Sequence, residues 1–187
     1  MADKREQIEK AATDAIKRDG LRSISFRTLA DEVGVKSSSV HYHFPTKSDL
    51  AQQVVSKYTD GFLEELAAIG RREKTLVGKV DGLVSLFEGV IDAQDLCLCG
   101  MMSAELTALD GGTRGALKRF FRESEAWLEA AFVEHGEEVE SGLTARQLAT
   151  LFIAGLEGAS LVDRVHDSRE RLATFRTLVR DLTTARA

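Results

Sequence analysis

The chain has 187 residues, of which 43% are hydrophobic and 29% are charged, a balance typical of a globular protein of one to two domains. Pro45 is its only proline, and the chain lacks long segments of alternating Val, Thr and Tyr, so the composition argues against a β-sandwich and favours an all-α fold. No apolar segment approaches the roughly 18 residues of a membrane span, and Met1–Glu6 contains no apolar signal-peptide region. We therefore expect a cytoplasmic protein.

The net charge of −5 is unevenly distributed along the chain. The first 50 residues contain nine lysines and arginines against eight acidic residues, whereas the remainder contains 16 against 22. No acidic residue occurs from Val33 to Ser48. Because duplex phosphates repel carboxylates, a phosphate-binding surface requires such an acid-free window. Short acid-free windows are common, so the charge pattern supports nucleic-acid binding only together with other features.

The first three predicted helices are closely spaced. Apolar periodicity predicts a helix over Asp3–Arg18, and Ser25 is the expected N-cap of a short second helix. Gly34 predicts a tight turn, and a third helix over Ser37–Phe44 ends before Pro45. A short helix, a glycine turn and a second short helix have the spacing of a helix-turn-helix, in which the second helix enters the major groove.

A long fourth helix is predicted to begin after Thr46, because Thr46 and Asp49 have the spacing of an N-cap and its acidic partner. It extends to about Ile69. Further helices are predicted over approximately Lys74–Ala93, Met101–Leu109, Thr113–His135, Thr144–His166 and Ser168–Ala185.

Two segments together carry a resemblance to a known family. They are Phe26–Val35, with the sequence FRTLADEVGV, and Ser39–Leu50, with the sequence SVHYHFPTKSDL. In this order they closely resemble the TetR (tetracycline-repressor) family of one-component transcription regulators. The resemblance implies a three-helix DNA-binding head, residues 1–47, joined by the long helix to a larger helical domain, residues 48–187, for ligand binding and dimerisation. It also implies a bacterial repressor that binds palindromic operator DNA as a homodimer and is released by a small molecule.

The resemblance implies DNA contacts at those positions of this chain that match DNA-contacting positions of the family. Arg27 matches a residue that some members use on a guanine edge, where the guanidinium fork reaches O6 and N7 together. Lys47 matches a lysine that contacts backbone phosphate at the start of the fourth helix. Many members have tyrosine where this chain has His41, so whether His41 contacts base or phosphate stays open, and Arg27 is alternatively a solvated helix charge. The predicted set is Arg27, Lys36, Ser37, Ser38, Ser39, His41, Tyr42, His43 and Lys47.

The resemblance also implies a mainly apolar effector pocket in the larger domain. For its aromatic candidates, a place in the hydrophobic core is the competing interpretation, and for Glu105 it is a solvated helix charge. The predicted lining residues are Phe87, Met101, Met102, Glu105, Trp127 and Phe152.

The last two predicted helices are expected to form the homodimer interface, because their apolar faces are wider than one monomer core requires. The family's dimers form a four-helix bundle at this place. The predicted face comprises Leu148, Leu151, Phe152, Gly155, Leu156, Ala159 and Leu161 on the first helix, and Leu172, Phe175, Leu178, Val179 and Leu182 on the second.

Cys97 and Cys99 form a C-x-C motif without the further ligands that a zinc site needs. Two interpretations stay open: small buried hydrophobes, or a redox or electrophile sensor. The sequence contains none of the common nucleotide-binding or catalytic motifs, so neither an enzyme nor a cofactor is expected. The alternative function is a helical scaffold or protein-interaction module that has lost DNA binding, whose head would be expected to accumulate carboxylates.

Overall fold

The computed structural model describes residues 3–136, 139 and 141–184. Across these residues the fold is all-α, as predicted, with nine α-helices, two short 3-10 helices and no β-strand. The α-helices are α1 (Lys4–Asp19), α2 (Phe26–Val33), α3 (Ser37–His43), α4 (Lys47–Arg72), α5 (Leu76–Asp92), α6 (Leu98–Ala104), α7 (Gly111–Glu134), α8 (Ala145–Val165) and α9 (Glu170–Thr184). The 3-10 helices are Leu21–Ser23 and Leu106–Ala108.

The helices pack into two compact units. Unit 1 consists of Met1–Asp60 and Asp95–Phe120, and unit 2 consists of Gly61–Gln94 and Phe121–Ala187. Both units are discontinuous in sequence, because α4 and α7 each contribute their first part to unit 1 and their second part to unit 2. The domain boundary between residues 47 and 48 stays a prediction.

The core of unit 1 is formed around the apolar stripe of α1, in which Ile8, Ala12 and Ile16 are fully buried. Helix α6 packs against α1, and both Cys97 and Cys99 are buried there. The Cys97 Sγ accepts a hydrogen bond from the Tyr58 hydroxyl at 3.8 Å. Two buried thiols in an apolar core agree with the interpretation of these cysteines as small hydrophobes.

The core of unit 2 joins α5, α8 and α9, which all pack against one another. The rings of Phe132, Phe152 and Phe175 form an edge-to-face series with successive centroids 5.4 Å apart. A Cβ on Gly155 would collide with the Phe175 ring, so the absence of a side chain at Gly155 makes room for this ring between α8 and α9. The small residue therefore serves packing within the monomer.

The turn between α8 and α9 is built around the fully buried carboxylate of Asp163. This carboxylate accepts hydrogen bonds from the Ser168 hydroxyl at 3.0 Å, and from the backbone N–H groups of Arg171 and Leu172 at 3.1 Å each. The Arg171 guanidinium donates a further bond at 3.1 Å. Burial favours a raised pKa for Asp163, but these hydrogen bonds outweigh it and hold the pKa below its usual value.

Most predicted helices lie within a few residues of the observed ones. The main difference is the predicted helix Met101–Leu109, which the structure divides into α6, beginning at Leu98, and a separate 3-10 helix. The predicted end of the last helix, Ala185, lies outside the described residues. None of the helices that the structure describes is long and apolar enough to cross a membrane.

Candidate nucleic-acid interface

Helices α2 and α3 form a helix-turn-helix. The Ser25 hydroxyl accepts from the Thr28 backbone N–H at 3.1 Å, while the Thr28 hydroxyl accepts from the Ser25 N–H at 3.0 Å, which completes a capping box at the start of α2. Gly34 ends α2 in the left-handed conformation, with φ 69° and ψ 44°, where a side chain would be strained. The predicted cap and the predicted turn are both confirmed.

Buried apolar residues hold α3 in place. Val40 is fully buried, and Leu29, Ala30 and Phe44 are almost so. Phe26 and Val33 on α2 are only half-buried. The ring of Phe26 instead forms an edge contact with His41, with centroids 4.6 Å apart.

The remaining surface of α3 is polar and accessible. Ser37, Ser38, His41 and Tyr42 are exposed, and Tyr42 has 84% of its surface accessible. Ser39 and His43 are half-buried, and the His43 ring lies between those of Tyr42 and Phe44, with centroids 5.2 Å and 6.5 Å away. Helix α3 therefore exposes hydroxyl and aromatic side chains, while Val40 fixes its other side in the core.

Arg27 and Lys36 extend this surface on either side of the turn. Both side chains are exposed, and Arg27 forms no ion pair with any other residue in the described ranges. An arginine without a protein carboxylate keeps all its donors for an external acceptor. The geometry is therefore compatible with contacts to base edges or phosphates.

Lys47 has a more constrained position than a freely solvated lysine. Its ammonium donates a hydrogen bond to the Ile24 carbonyl at 2.7 Å, and the residue is half-buried. Burial lowers the pKa of Lys47, although the nearby Glu105 carboxylate acts in the opposite direction. Lys47 thus ties the start of α4 to the segment before α2.

The first acidic residue after the acid-free window caps α4. The Asp49 carboxylate accepts from the Thr46 N–H at 3.0 Å, and the Thr46 hydroxyl accepts from the Asp49 N–H at 3.1 Å. This confirms the predicted start of α4. The charge of Asp49 is therefore committed to a helix N-terminus, where it is favourable.

Arg22 is a cationic residue near this surface that the sequence did not single out. Its backbone N–H donates to the Glu105 carboxylate at 3.1 Å, and its exposed guanidinium Nε lies 3.5 Å from the same carboxylate. A Cβ on Gly20 would collide with the carboxylate oxygen of Glu105. The Glu105 side chain therefore packs closely against the turn Gly20–Arg22. Its carboxylate therefore has a structural partner in unit 1 and is not a freely solvated helix charge.

The predicted effector residues divide between the units. Met101 and Met102 belong to unit 1, together with Glu105, and Met102 is fully buried. Phe87 and Phe152 are buried in unit 2, where Phe87 meets Phe62 edge-on with centroids 6.2 Å apart. Trp127 is half-buried in unit 2. That these residues line one effector cavity stays a prediction.

The predicted dimer face requires a correction at the level of single residues. Half of the twelve side chains proposed for it are buried inside unit 2, where they cannot contact a partner: Leu148, Phe152, Leu156, Ala159, Leu172 and Val179. Three of the twelve, Leu151, Leu161 and Leu178, are exposed on α8 and α9, together with Val162 and Val165, which the prediction did not include.

The chain has a helix-turn-helix whose second helix, α3, is exposed and contains no acidic residue. These features place it in the class of helix-turn-helix proteins. A family model described as "Bacterial regulatory proteins, tetR family" matches residues 8–54, and one described as "Transcriptional regulator LmrA/YxaF-like, C-terminal domain" matches residues 80–177. The chain therefore belongs to the TetR family of transcriptional regulators.

Similar proteins agree with this assignment over most of the chain. The HTH-type nicotine-responsive transcriptional repressor HdnoR of Paenarthrobacter nicotinovorans is 23% identical over 160 residues, which are 85% of this chain and 82% of that protein. A TetR-family regulator from Agrobacterium tumefaciens has a TM-score of 0.91 at 26% identity, covering 97% of this chain and 98% of that one. A TetR regulator from Legionella pneumophila has a TM-score of 0.90 at 24% identity, covering 98% and 99%.

Proposed function

We propose that this protein is a homodimeric repressor that binds palindromic operator DNA through α3 and releases it when a small molecule binds. The observation that carries the proposal is the accessible surface of the helix-turn-helix, where α2 offers Arg27, α3 offers hydroxyl groups and rings, and no carboxylate occurs from residue 33 to 48. Phosphates attract such a surface, and its donors reach base edges in the major groove. On this proposal, the DNA contacts are the nine predicted residues.

The exposed apolar residues of α8 and α9 support a second copy of the chain as the partner. Leu151 and Val162 are eleven residues apart and Leu161 and Val165 four apart, so these exposed residues lie on one side of α8, and Val165 is 79% exposed. Exposed apolar side chains grouped in this way mark a protein interface. A palindromic operator requires a two-fold symmetric reader, which a dimer through α8 and α9 supplies. A stable dimer of this type buries at least about 1,200 Å² in total.

Release by a small molecule is supported by the relative HdnoR, which is named a nicotine-responsive repressor. An effector lowers operator affinity only if it binds the conformation that does not bind DNA better than the one that does. Helix α4 is the candidate for transmission, because it is continuous from Lys47 to Arg72 and contributes to both units. The predicted effector residues are Phe87, Met101, Met102, Glu105, Trp127 and Phe152.

The test is the affinity of Arg27→Ala for an operator selected from a random duplex library, measured by fluorescence anisotropy. Loss of a bidentate base contact is expected to cost about 1–3 kcal/mol and to relax the preference at one base pair per half-site. Arg114→Ala is the matched control, because Arg114 is an exposed arginine on α7. Equal sequence preferences for wild type and Arg27→Ala would contradict base recognition by Arg27.

The scaffold alternative makes the opposite prediction. A head that has lost DNA binding shows no salt-dependent affinity for any duplex, whereas the proposed repressor loses affinity steeply as salt rises. A salt titration of the wild-type protein with operator duplex separates the two.

A further inference from the structure

A small pocket in unit 2 brings a buried lysine close to the only tryptophan of the chain. Its cavity volume is about 180 Å³. Of its six lining residues, three are small, one is tryptophan and two are charged. The lining residues are Gly70, Lys79, Trp127, Ala130, Ala131 and Glu134.

The Lys79 ammonium is the buried charge of this pocket. Only 7% of its side chain is exposed, whereas the side chain of its carboxylate partner, Glu134, is 62% exposed. The ammonium also lies 3.5 Å from Nε2 of His135. A buried ammonium requires an anion, because leaving it without one costs several kcal/mol. The hydrogen bond from Lys79 lowers the pKa of Glu134, which keeps that partner ionised.

The anion that satisfies Lys79 is replaceable. Glu134 is the last residue of α7, and most of its side chain is in solvent, so its own charge remains hydrated when it rotates away from Lys79. The Lys79 side chain is only 7% exposed with Glu134 in place, so its ammonium then requires another carboxylate. An external carboxylate can take that place with the local charge unchanged.

The space beside Trp127 has the shape for the rest of such a ligand. Gly70, Ala130 and Ala131 leave a volume that larger side chains would fill in a close-packed interior. A Cβ on Gly70 would lie 3.5 Å from the indole Nε1, so this glycine is not required by a backbone clash. A concave volume lined by an aromatic side chain, small residues and a few charged groups has the composition of a small-molecule site.

We propose that this pocket binds a small aromatic carboxylate, whose carboxylate replaces Glu134 on Lys79 and whose ring stacks against Trp127. A neutral ligand would displace Glu134, the carboxylate partner of Lys79 among the residues that the structure describes, without replacing its charge, and is therefore disfavoured. Binding at this pocket does not depend on the proposed DNA function, although a role as the effector site rests on it.

The test follows Trp127 fluorescence while sodium benzoate is added to the full-length protein. Because Trp127 is the only tryptophan of the chain and lines this pocket, the change in tryptophan emission is assigned to that residue. We expect a saturable change with benzoate and at least about tenfold weaker binding of benzamide, which has the same shape without the charge. Lys79→Met is expected to weaken benzoate binding by about tenfold or more, whereas Lys118→Met, an exposed lysine on α7, leaves it unchanged.

Glu134→Gln gives the sharpest outcome, because it keeps Lys79 and removes only the competing carboxylate. We expect Glu134→Gln to bind benzoate more tightly than the wild type does. Equal or weaker binding by Glu134→Gln would overturn the proposal, as would equal affinities of the wild type for benzoate and benzamide. A wild-type protein that binds benzoate but no operator DNA would refute the proposed function and leave this binding site supported.

Discussion

Replacing Asp163 with asparagine tests whether a buried negative charge holds the turn between α8 and α9. Asparagine has nearly the same volume but only one acceptor oxygen, so its amide NH₂ group faces donors from Ser168, Arg171 or Leu172. Breaking a buried charge pair by removing one partner costs about 3–5 kcal/mol. Because the Arg171 side chain is 40% exposed and regains water, we expect Asp163→Asn to lower the free energy of unfolding by about 3 kcal/mol, the low end of that range.

The measurement is urea unfolding followed by circular dichroism. Wild type and variant are compared at one protein concentration, since the stability of a dimer depends on concentration. Asp181→Asn is the control, because Asp181 is exposed on α9 and a surface substitution there changes stability by less than about 0.5 kcal/mol.

The stability gap between wild type and Asp163→Asn is also expected to depend on pH. Burial alone would raise the pKa of Asp163, but the hydrogen bonds from Leu172, Arg171 and Ser168 prevail and lower it. The stabilisation by the charged form is therefore complete above the pKa of the unfolded chain, about 3.9, and is lost as the pH falls through the folded-state pKa. The gap is expected to be constant from about pH 7 to pH 5 and to shrink below about pH 4. A gap under about 1 kcal/mol at neutral pH, or one that stays constant down to about pH 2, would refute this reasoning.

Three other substitutions test the interface, the dimer and the core. Lys47→Ala is expected to weaken all duplex sequences alike and to lower the salt slope of binding by about one unit; an unchanged slope would leave Lys47 only its hydrogen bond to Ile24. Leu151→Glu is expected to convert the proposed dimer to a monomer in analytical ultracentrifugation at micromolar concentration, and a dimer of unchanged affinity would contradict an interface through α8. Gly155→Ala is expected to lower stability by about 1–3 kcal/mol in thermal unfolding, because its Cβ collides with Phe175, and an unchanged midpoint would show that the ring moves freely.

The helix ends were predicted well, because each depends on residues that are close together in the sequence. Ser25, Gly34 and the pair Thr46 and Asp49 each specify a helix end through contacts within three residues, and the structure confirms all of them. Such caps depend on side-chain chemistry and backbone conformation at one place. Helix caps can therefore be predicted from the sequence without knowledge of the tertiary fold.

The features that the sequence did not predict depend on contacts between distant segments. The hydrogen bond from the Arg22 N–H to Glu105 joins residues 83 apart, so no periodicity indicates it. The bond from Lys47 to the Ile24 carbonyl likewise forms only after α4 packs beside the head. Sequence patterns show that such side chains are charged but not which partner they meet.

The dimer face shows a second limit of sequence patterns. Helix α8 is apolar on more than one side, and periodicity alone does not distinguish the side that faces the monomer core from the side that faces solvent. Leu156 is fully buried, whereas Leu161, five residues later, is 49% exposed. Only the packing of α8 against α5 and α9 assigns the two leucines to different surfaces.

The most direct test of the central claim is selection of bound duplexes from a random library by the purified full-length protein, followed by sequencing. The proposed dimeric repressor predicts enrichment of one palindromic motif, with half-sites separated by about one helical turn or a multiple of it. Recovery of unenriched sequences, or of a motif without two-fold symmetry, would contradict sequence-specific binding by a symmetric dimer.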